Sequence, residues 1–273
     1  MKIALYLRNI DTLAQDALHR LVESLHKRGI GTVTVCDGDK VDGCDYLFSI
    51  GGDGTLLSSV QFVHIDNPAD FPPILGINFG HLGFLTSVGR ENLDGMVDDL
   101  VEGRFSIEER TLLSLPAMRS QFATPFALNE VFLHRADGLS LLRTRVFVDD
   151  EYVATYAGDG VIVATPTGST AYSLSCGGPI LTPTSGCFVI TPIGAHTLTL
   201  RPIIVPDSAH LRLVVEGEMP FTIGMDSRRA TLVGDTEVSL ERAPFTIRLI
   251  RMNTQNFFSA IRDKLMWGTE VRQ

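Results

Sequence analysis

The residues with the clearest chemical potential are Gly51-Gly52-Asp53-Gly54-Thr55. Glycine has no Cβ, so a loop containing several lets backbone N–H groups approach a ligand closely. The loop follows the apolar run Tyr46–Ile50 and precedes a segment with helical character. Gly52, Gly54 and Thr55 therefore stand at a helix start, where free N–H groups and the helix dipole favour a phosphate. Asp53 is the one carboxylate in the loop. Beside a bound phosphate its charge is unfavourable unless it does chemical work. That work is accepting a proton from a hydroxyl, orienting that hydroxyl, or holding Mg²⁺. A plain turn with Asp53 as helix cap is the simpler reading, but a cap does not call for three glycines around it.

The elements around this loop set its place in a fold. Lys2–Leu7 is a short apolar run. Asp11 is placed to cap a helix with Ala14, Leu18, Leu21, Val22 and Leu25 on one face, and Gly29 stops it. Thr32–Cys36 and Asp45–Ile50 read as strands, Thr55–Ile65 as a helix, Pro73–Asn78 as a strand and Asn92–Glu102 as a helix. Such alternation predicts a parallel sheet covered by helices, and ligands bind at the carboxyl ends of such strands.

Beyond about residue 104 the pattern changes to successive strands. They are Phe105–Leu115, Ala127–His134, Leu141–Val148, Tyr152–Tyr156, Val161–Ala164, Cys187–Thr191, Leu211–Glu216, Phe221–Met225, Thr231–Val233, Glu237–Leu240 and Phe245–Met252. Asp149-Asp150 between two alternating runs reads as a hairpin turn. The next helical segment is Asn253–Trp267. The expectation is α/β plus all-β. Residues 1–110 with 253–273 form an α/β nucleotide- and phosphate-binding domain, to which the last helix returns. Residues 111–252 form a β-rich domain.

Composition narrows the function classes. The chain has 273 residues, 44% of them apolar, enough for a large core or two domains. Lys and Arg number 23 and Asp and Glu 32, a formal charge of -9. An acidic chain without a basic run is a poor ligand for nucleic acid or an anionic membrane. Ile3–Leu7 gives only five apolar residues before Arg8, too few for a secretory signal. The charge-free stretch 160–200 is rich in Gly, Thr, Ser and Pro, so it predicts strands and tight loops rather than a membrane helix. Cys36, Cys44, Cys176 and Cys187 form no Cys-x-x-Cys, which suits free thiols in a reducing cytoplasm. The seven histidines suggest no zinc site. Neither a Walker loop nor a Gly-x-Gly-x-x-Gly after the first strand is present.

The Gly-Gly-Asp-Gly-Thr run resembles a signature shared by NAD kinases, lipid kinases of the diacylglycerol and sphingosine type, and 6-phosphofructokinases. Three further runs resemble NAD kinases specifically. They are the run from Asn78 through Phe79 to Leu85, then Leu128-Asn129-Glu130, and Gly158-Asp159-Gly160 followed by Thr165–Ser175 and Gly177-Gly178-Pro179. On these four motifs, in order along most of the chain, the sequence is identified as a member of the NAD kinase family.

The resemblance implies a Rossmann-like α/β N-terminal domain, a β-sandwich-like C-terminal domain and a site in the cleft. It implies Mg²⁺-dependent transfer of the ATP γ-phosphoryl group to the 2′-hydroxyl of the adenosine ribose of NAD. Mg²⁺, or another divalent cation, is expected to be held mainly by ATP phosphates, with no metal-ligating residue of the protein's own. By motif match Asp53 takes or orients the hydroxyl proton, while Phe79, Asn129 and Glu130 bind adenosine. Asp159, Thr170, Ala171, Tyr172 and Ser175 bind the rest of the dinucleotide. A homodimer or homotetramer is implied too. Each residue has a plainer reading: Phe79 and Tyr172 as core aromatics, Asn129 and Glu130 as part of a solvated strand edge, Asp159 as a turn cap. His81 reads as structural.

Two positions depart from the family. Ala157 stands where many bacterial relatives have Arg or another polar residue, and Asp226-Ser227-Arg228 stands where Asp-Gly-Gln is common. Arg228 and Arg229 are therefore candidates for phosphate contact or for a solvated pair. The rival readings are a lipid kinase and a catalytically silent dinucleotide sensor. The Thr165–Tyr172 run disfavours the first and Asp53 the second.

Overall fold

The computed structural model describes residues 1–8, 12–63, 67–80, 83–136, 140–252 and 256–268. Asp11, Ile65, His81 and Asn253, to which the sequence assigned roles or boundaries, lie outside them. The chain forms two compact units, residues 1–109 with 247–273, and 110–246.

The first unit contains β1 (Lys2–Leu7), α1 (Thr12–Lys27), β2 (Gly31–Val35), β3 (Tyr46–Ile50), α2 (Asp53–Ser58), β4 (Ile74–Asn78), β5 (Val88–Gly89) and α3 (Leu93–Val101). Its strands are parallel in the order β2-β1-β3-β4-β5. Ile3, Leu5, Phe48, Ile50 and Ile77 pack with Leu21 and Leu25 of α1 and with Met96, Val97 and Leu100 of α3. The 3.6-residue spacing on the helices and the apolar strands meet in that core. Gly29 takes φ 72, which stops α1.

The predicted helix over 55–65 is corrected. It begins at Asp53, ends at Ser58, and continues as a 3₁₀ turn over Ser59–Phe62. The Ser58 and Ser59 hydroxyls donate back to the carbonyls of Gly54 and Leu56, at 3.0 and 2.6 Å. Such side-chain bonds compete with regular helix propagation.

The second unit is built from strands. β6 (Phe105–Ser114) crosses into it and is followed by β7 (Phe126–Ala127), β8 (Glu130–Arg135), β9 (Leu142–Val148), β10 (Glu151–Gly158), β11 (Gly160–Ala164), the short helix α4 (Tyr172–Ser175), β12 (Cys187–Ile193), β13 (Ile203–Pro206), β14 (Leu211–Glu216), β15 (Phe221–Met225), β16 (Arg228–Leu232) and β17 (Thr236–Met252). One antiparallel sheet runs β13-β12-β11-β8-β15-β16. Facing it are β10, β9, β14 and the first part of β17. Leu133, Val161 and Phe188 from one sheet meet Val146, Leu213 and Val238 from the other, a sandwich-like core. Asp149 and Asp150 both have positive φ and close the two-residue β9–β10 hairpin, as the sequence indicated.

Three strand readings are corrected. The two segments 237–240 and 245–252 are one 17-residue strand. Its pairing with β14 ends at Leu240, so Pro244 removes no donor from that ladder. Asn129 is not inside a strand, because a bend at 128–129 separates β7 from β8. Strand β13 at the sheet edge went unread between its flanking prolines. The end of β17 belongs to the first unit, where Leu249 pairs in parallel with Ile74, as does the last helix α5 (Phe257–Leu265).

Candidate active site

In the first unit the Gly-rich loop sits at the carboxyl end of β3. Gly51 takes φ +147, and a Cβ there would lie 2.4 Å from Thr55 Oγ1. The loop turns sharply for that reason, and Gly52 becomes the N-cap of α2. The Thr55 N–H is used internally, donating to Gly52 O at 2.9 Å. A Cβ on Gly54 would meet nothing within 4 Å. Helix α2 has six residues. Its dipole is accordingly small, so anion binding here rests on the loop's own N–H groups.

The Asp53 carboxylate is fixed from the segment after β4. Oδ2 accepts from Phe84 N–H at 2.7 Å. Oδ1 accepts from the N–H groups of Leu85 and Thr86 at 3.1 and 3.2 Å and from the Thr86 hydroxyl at 3.4 Å. A Cβ on Gly83 would lie 1.6 Å from Asp53 Oδ1, so Gly83 is the residue that makes room for this carboxylate. Arg251 donates to the carbonyls of Phe84 and Leu85 and braces the same segment. Phe79 is half-buried against the core of this unit.

In the second unit Asn129 and Glu130 are 8% and 7% exposed. Thr165 holds the backbone before them: its hydroxyl donates to Leu128 O at 2.6 Å and its N–H to Asn129 O at 2.9 Å. Gly168 lies against this peptide, where a Cβ would come within 2.1 Å of Asn129 O. The Thr165–Thr170 run is thus a close-packed brace as well as a hydroxyl-rich loop. Asn129 Oδ1 and Glu130 Oε2 are buried with no hydrogen-bond partner among the described residues. Buried polar atoms without partners carry a cost that a ligand can remove.

Glu130 lines an open cavity of about 500 Å³ with Phe132, Arg135, Tyr172, Asp226 and Arg229. Burial first, and the charge of Asp226 second, push its carboxyl up to about 8, against a hydrogen bond from the Tyr172 backbone. Tyr172 stands edge-on to Phe132 with ring centroids 5.7 Å apart, leaving one side on the cavity. Asp159 Oδ1 lies 2.7 Å from Arg135 Nε, so Asp159 is an ion-pair partner rather than a plain turn cap. Thr170 donates to Thr167 O at 3.3 Å, Ala171 N–H donates to Gly168 O, and Ser175 is exposed at the end of α4.

Arg228 is held by backbone carbonyls. Its two terminal nitrogens donate to the carbonyls of Thr124 and Phe126. Arg229 lies over the Phe132 ring, 5.9 Å from its centroid, on the cavity wall. Ala157 pairs with Arg143 in the β9–β10 hairpin. The roles of Gly83, Arg135 and Asp226 were not read from the sequence, although Asp226 stood in a run already noted as a departure.

The comparisons with known proteins agree along the chain. Residues 3–105 match the ATP-NAD kinase N-terminal domain and residues 128–252 the ATP-NAD kinase C-terminal domain. An NAD kinase of Cytophaga hutchinsonii is 42% identical over 84% of this chain and 77% of its own length. One from Christiangramia forsetii is 37% identical over 97% and 90%. Among solved structures, an Archaeoglobus fulgidus NAD kinase in complex with ATP superposes with a TM-score of 0.81 at 26% identity, covering 96% of this chain and 99% of that one. Yeast NADH kinase with NADH gives a TM-score of 0.85 at 24% identity, a likeness of fold. Two family models in sequence order, and relatives this similar over most of their length, show that the chain belongs to the ATP-NAD kinase family.

Proposed function

We propose that the protein transfers the γ-phosphoryl group of ATP to the 2′-hydroxyl of the adenosine ribose of NAD, giving NADP. Family membership supports the reaction, and the observation that carries the mechanism is the anchored Asp53 carboxylate. Oδ1 already accepts three hydrogen bonds and Oδ2 only one. An ionised carboxylate has about four acceptor positions. Oδ2 is therefore the atom left to take the proton of the ribose hydroxyl. That hydroxyl oxygen forms a bond to the γ-phosphorus, the bond from the β–γ bridging oxygen breaks, and ADP leaves. Such a transfer depends on positioning more than on covalent chemistry.

In this reading the first unit holds the donor, with Gly52, Gly54 and Thr55 at its phosphates, and Phe79 forms part of the adenosine pocket. The second unit holds the dinucleotide. Asn129 and Glu130 bind the adenosine portion, with the amide donating and accepting and the carboxylate accepting from hydroxyls. Asp159, Thr170, Ala171, Tyr172 and Ser175 bind the remainder, Tyr172 by stacking. Among the described residues no three carboxylate, imidazole or thiol groups converge on a cation position. In this reading Mg²⁺ arrives on the donor's phosphates, where it would neutralise their charge.

Purified protein incubated with NAD, ATP and Mg²⁺ is expected to form NADP, read by a dehydrogenase that accepts only NADP. The signal disappears with EDTA and returns with excess Mg²⁺. No NADP formed from NAD and no NADPH formed from NADH rejects the reading.

The proposal includes a homodimer or homotetramer in a reducing compartment such as the cytoplasm, which the four free cysteines suit. No helix among the described residues is long and apolar enough to cross a membrane. Strand β13 ends the six-stranded sheet and leaves Ile203 and Ile204 exposed. Leu198 nearby in sequence is exposed as well. An open sheet edge with apolar side chains suits pairing with a second chain. Sedimentation velocity is expected to show a multiple of one chain's mass, and a single monomeric species rejects the assembly.

A further inference from the structure

We infer that Asp226 is a positioning residue for the dinucleotide, acting on Asn129 and Glu130 through the backbone it grips and the charge it sets beside Glu130. The inference rests on the reading that these two side chains bind NAD. Asp226 lies in the turn between β15 and β16, with φ 52. Its Oδ2 accepts from Leu128 N–H at 2.9 Å. Its Oδ1 accepts from the N–H groups of Asn129 and Glu130 at 2.8 and 3.2 Å. Its own N–H donates to Glu130 O at 3.0 Å. Together with the two bonds from Thr165, every peptide N–H and C=O of residues 128–130 has a partner. The backbone is held from both sides, and the side chains of Asn129 and Glu130 keep unused polar atoms.

A turn that needed only closing would not require a charge at its centre. Burying a carboxylate is unfavourable even with good hydrogen bonds. Here a buried carboxylate, in a backbone conformation that few non-glycine residues adopt, lines the same cavity as a second buried carboxyl. Arg228 stands behind Asp226, with Nη2 3.9 Å from Oδ2. The other titratable groups lining the cavity are Arg229, Arg135, His134 and Tyr172. Arg135 is engaged with Asp159.

The consequence is a proton linked to substrate binding. In the free protein Glu130 carries its proton up to about pH 8. Ribose hydroxyls need an acceptor, and an ionised carboxylate accepts more strongly than the neutral acid, so NAD binding favours the ionised form. Affinity for NAD therefore rises with pH and levels off near 8. Below that point it falls by up to about tenfold per pH unit, the limit for one linked proton.

The test is calorimetric titration of the whole protein with NAD alone, from about pH 6 to about pH 9, in buffers of different ionisation enthalpy. Wild type is expected to release a proton on binding below the transition. Glu130→Gln is expected to weaken binding and to remove the pH dependence. Asp226→Asn removes the charge and turns an amide N–H₂ toward backbone N–H groups. It is expected to move the transition to lower pH by at least about one unit and, at high pH where Glu130 is ionised anyway, to weaken NAD by at least about tenfold. If Glu130→Gln removes the transition while Asp226→Asn leaves both transition and affinity in place, the inference about Asp226 fails and the binding reading stands. If Glu130→Gln changes neither affinity nor its pH dependence, the binding reading itself fails. Should Asp226→Asn not fold, Arg228→Gln keeps Asp226 and removes the cation beside it. The transition then moves, and an unmoved transition overturns the assigned role of the charge.

Discussion

Asp53→Asn is expected to lower kcat by about 10²–10⁴-fold, the range for a positioned acid–base group. The substitution is nearly isosteric but changes two things. It removes the basic oxygen to which the ribose proton goes. It also creates a local mismatch, because whichever way the amide turns, its N–H₂ meets at least one of the N–H groups of Phe84, Leu85 and Thr86. Leaving one such bond unmade costs about 1–3 kcal/mol of stability, which a domain of this size survives. Turnover and unfolding temperature must therefore be measured on the same preparation. A large fall in kcat with a small fall in melting temperature, at saturating NAD and ATP, assigns the proton-accepting role to Asp53. A folded variant that keeps kcat within about tenfold of wild type reduces Asp53 to a structural anchor for residues 84–86.

The legible parts of this protein are those whose cause is local. The 3.6-residue spacing of Leu18, Leu21, Val22 and Leu25 identified α1, and Leu21 and Leu25 are indeed core residues. Asp149-Asp150 announced a hairpin because only a few residue types tolerate positive φ at both turn positions. The Gly-rich loop was legible for the same reason. What stayed hidden depends on partners far along the chain. Nothing near Gly83 signals that the Asp53 carboxylate occupies the space of its missing Cβ. Nothing near Asp226 signals that it accepts from three N–H groups nearly a hundred residues earlier. Arg228 was open to a phosphate role in sequence terms, and only the structure shows that two of its N–H groups donate to the carbonyls of Thr124 and Phe126. Pro244 and its charged neighbours divided one strand into two in the sequence reading, because a sequence does not show where the pairing of that strand with its neighbour ends.

Gly83→Ala is expected to lower kcat by about 10²-fold without unfolding the protein, the size of effect that follows a misplacement of about 1 Å in a catalytic group. Gly83 does not occupy a positive φ, so alanine brings no backbone strain. The new methyl group conflicts instead with a single side chain, standing 1.6 Å from Asp53 Oδ1, 2.1 Å from its Cγ and 2.3 Å from its Oδ2. A carboxylate at the end of a rotatable side chain gives way more readily than a backbone does. Asp53 is then displaced and gives up its bonds to Phe84, Leu85 and Thr86. The KM values for NAD and ATP should move by no more than about threefold, since the displaced group acts on the hydroxyl in the transition state and not on the bulk of either substrate. Gly89→Ala is the matched control, because a Cβ there would meet nothing within 4 Å and its φ is also not positive. The combination Asp53→Asn with Gly83→Ala adds a further test. If both substitutions act through one carboxylate, the double variant is about as slow as Asp53→Asn alone. If the two losses multiply, Gly83 acts on turnover by a route that does not pass through Asp53.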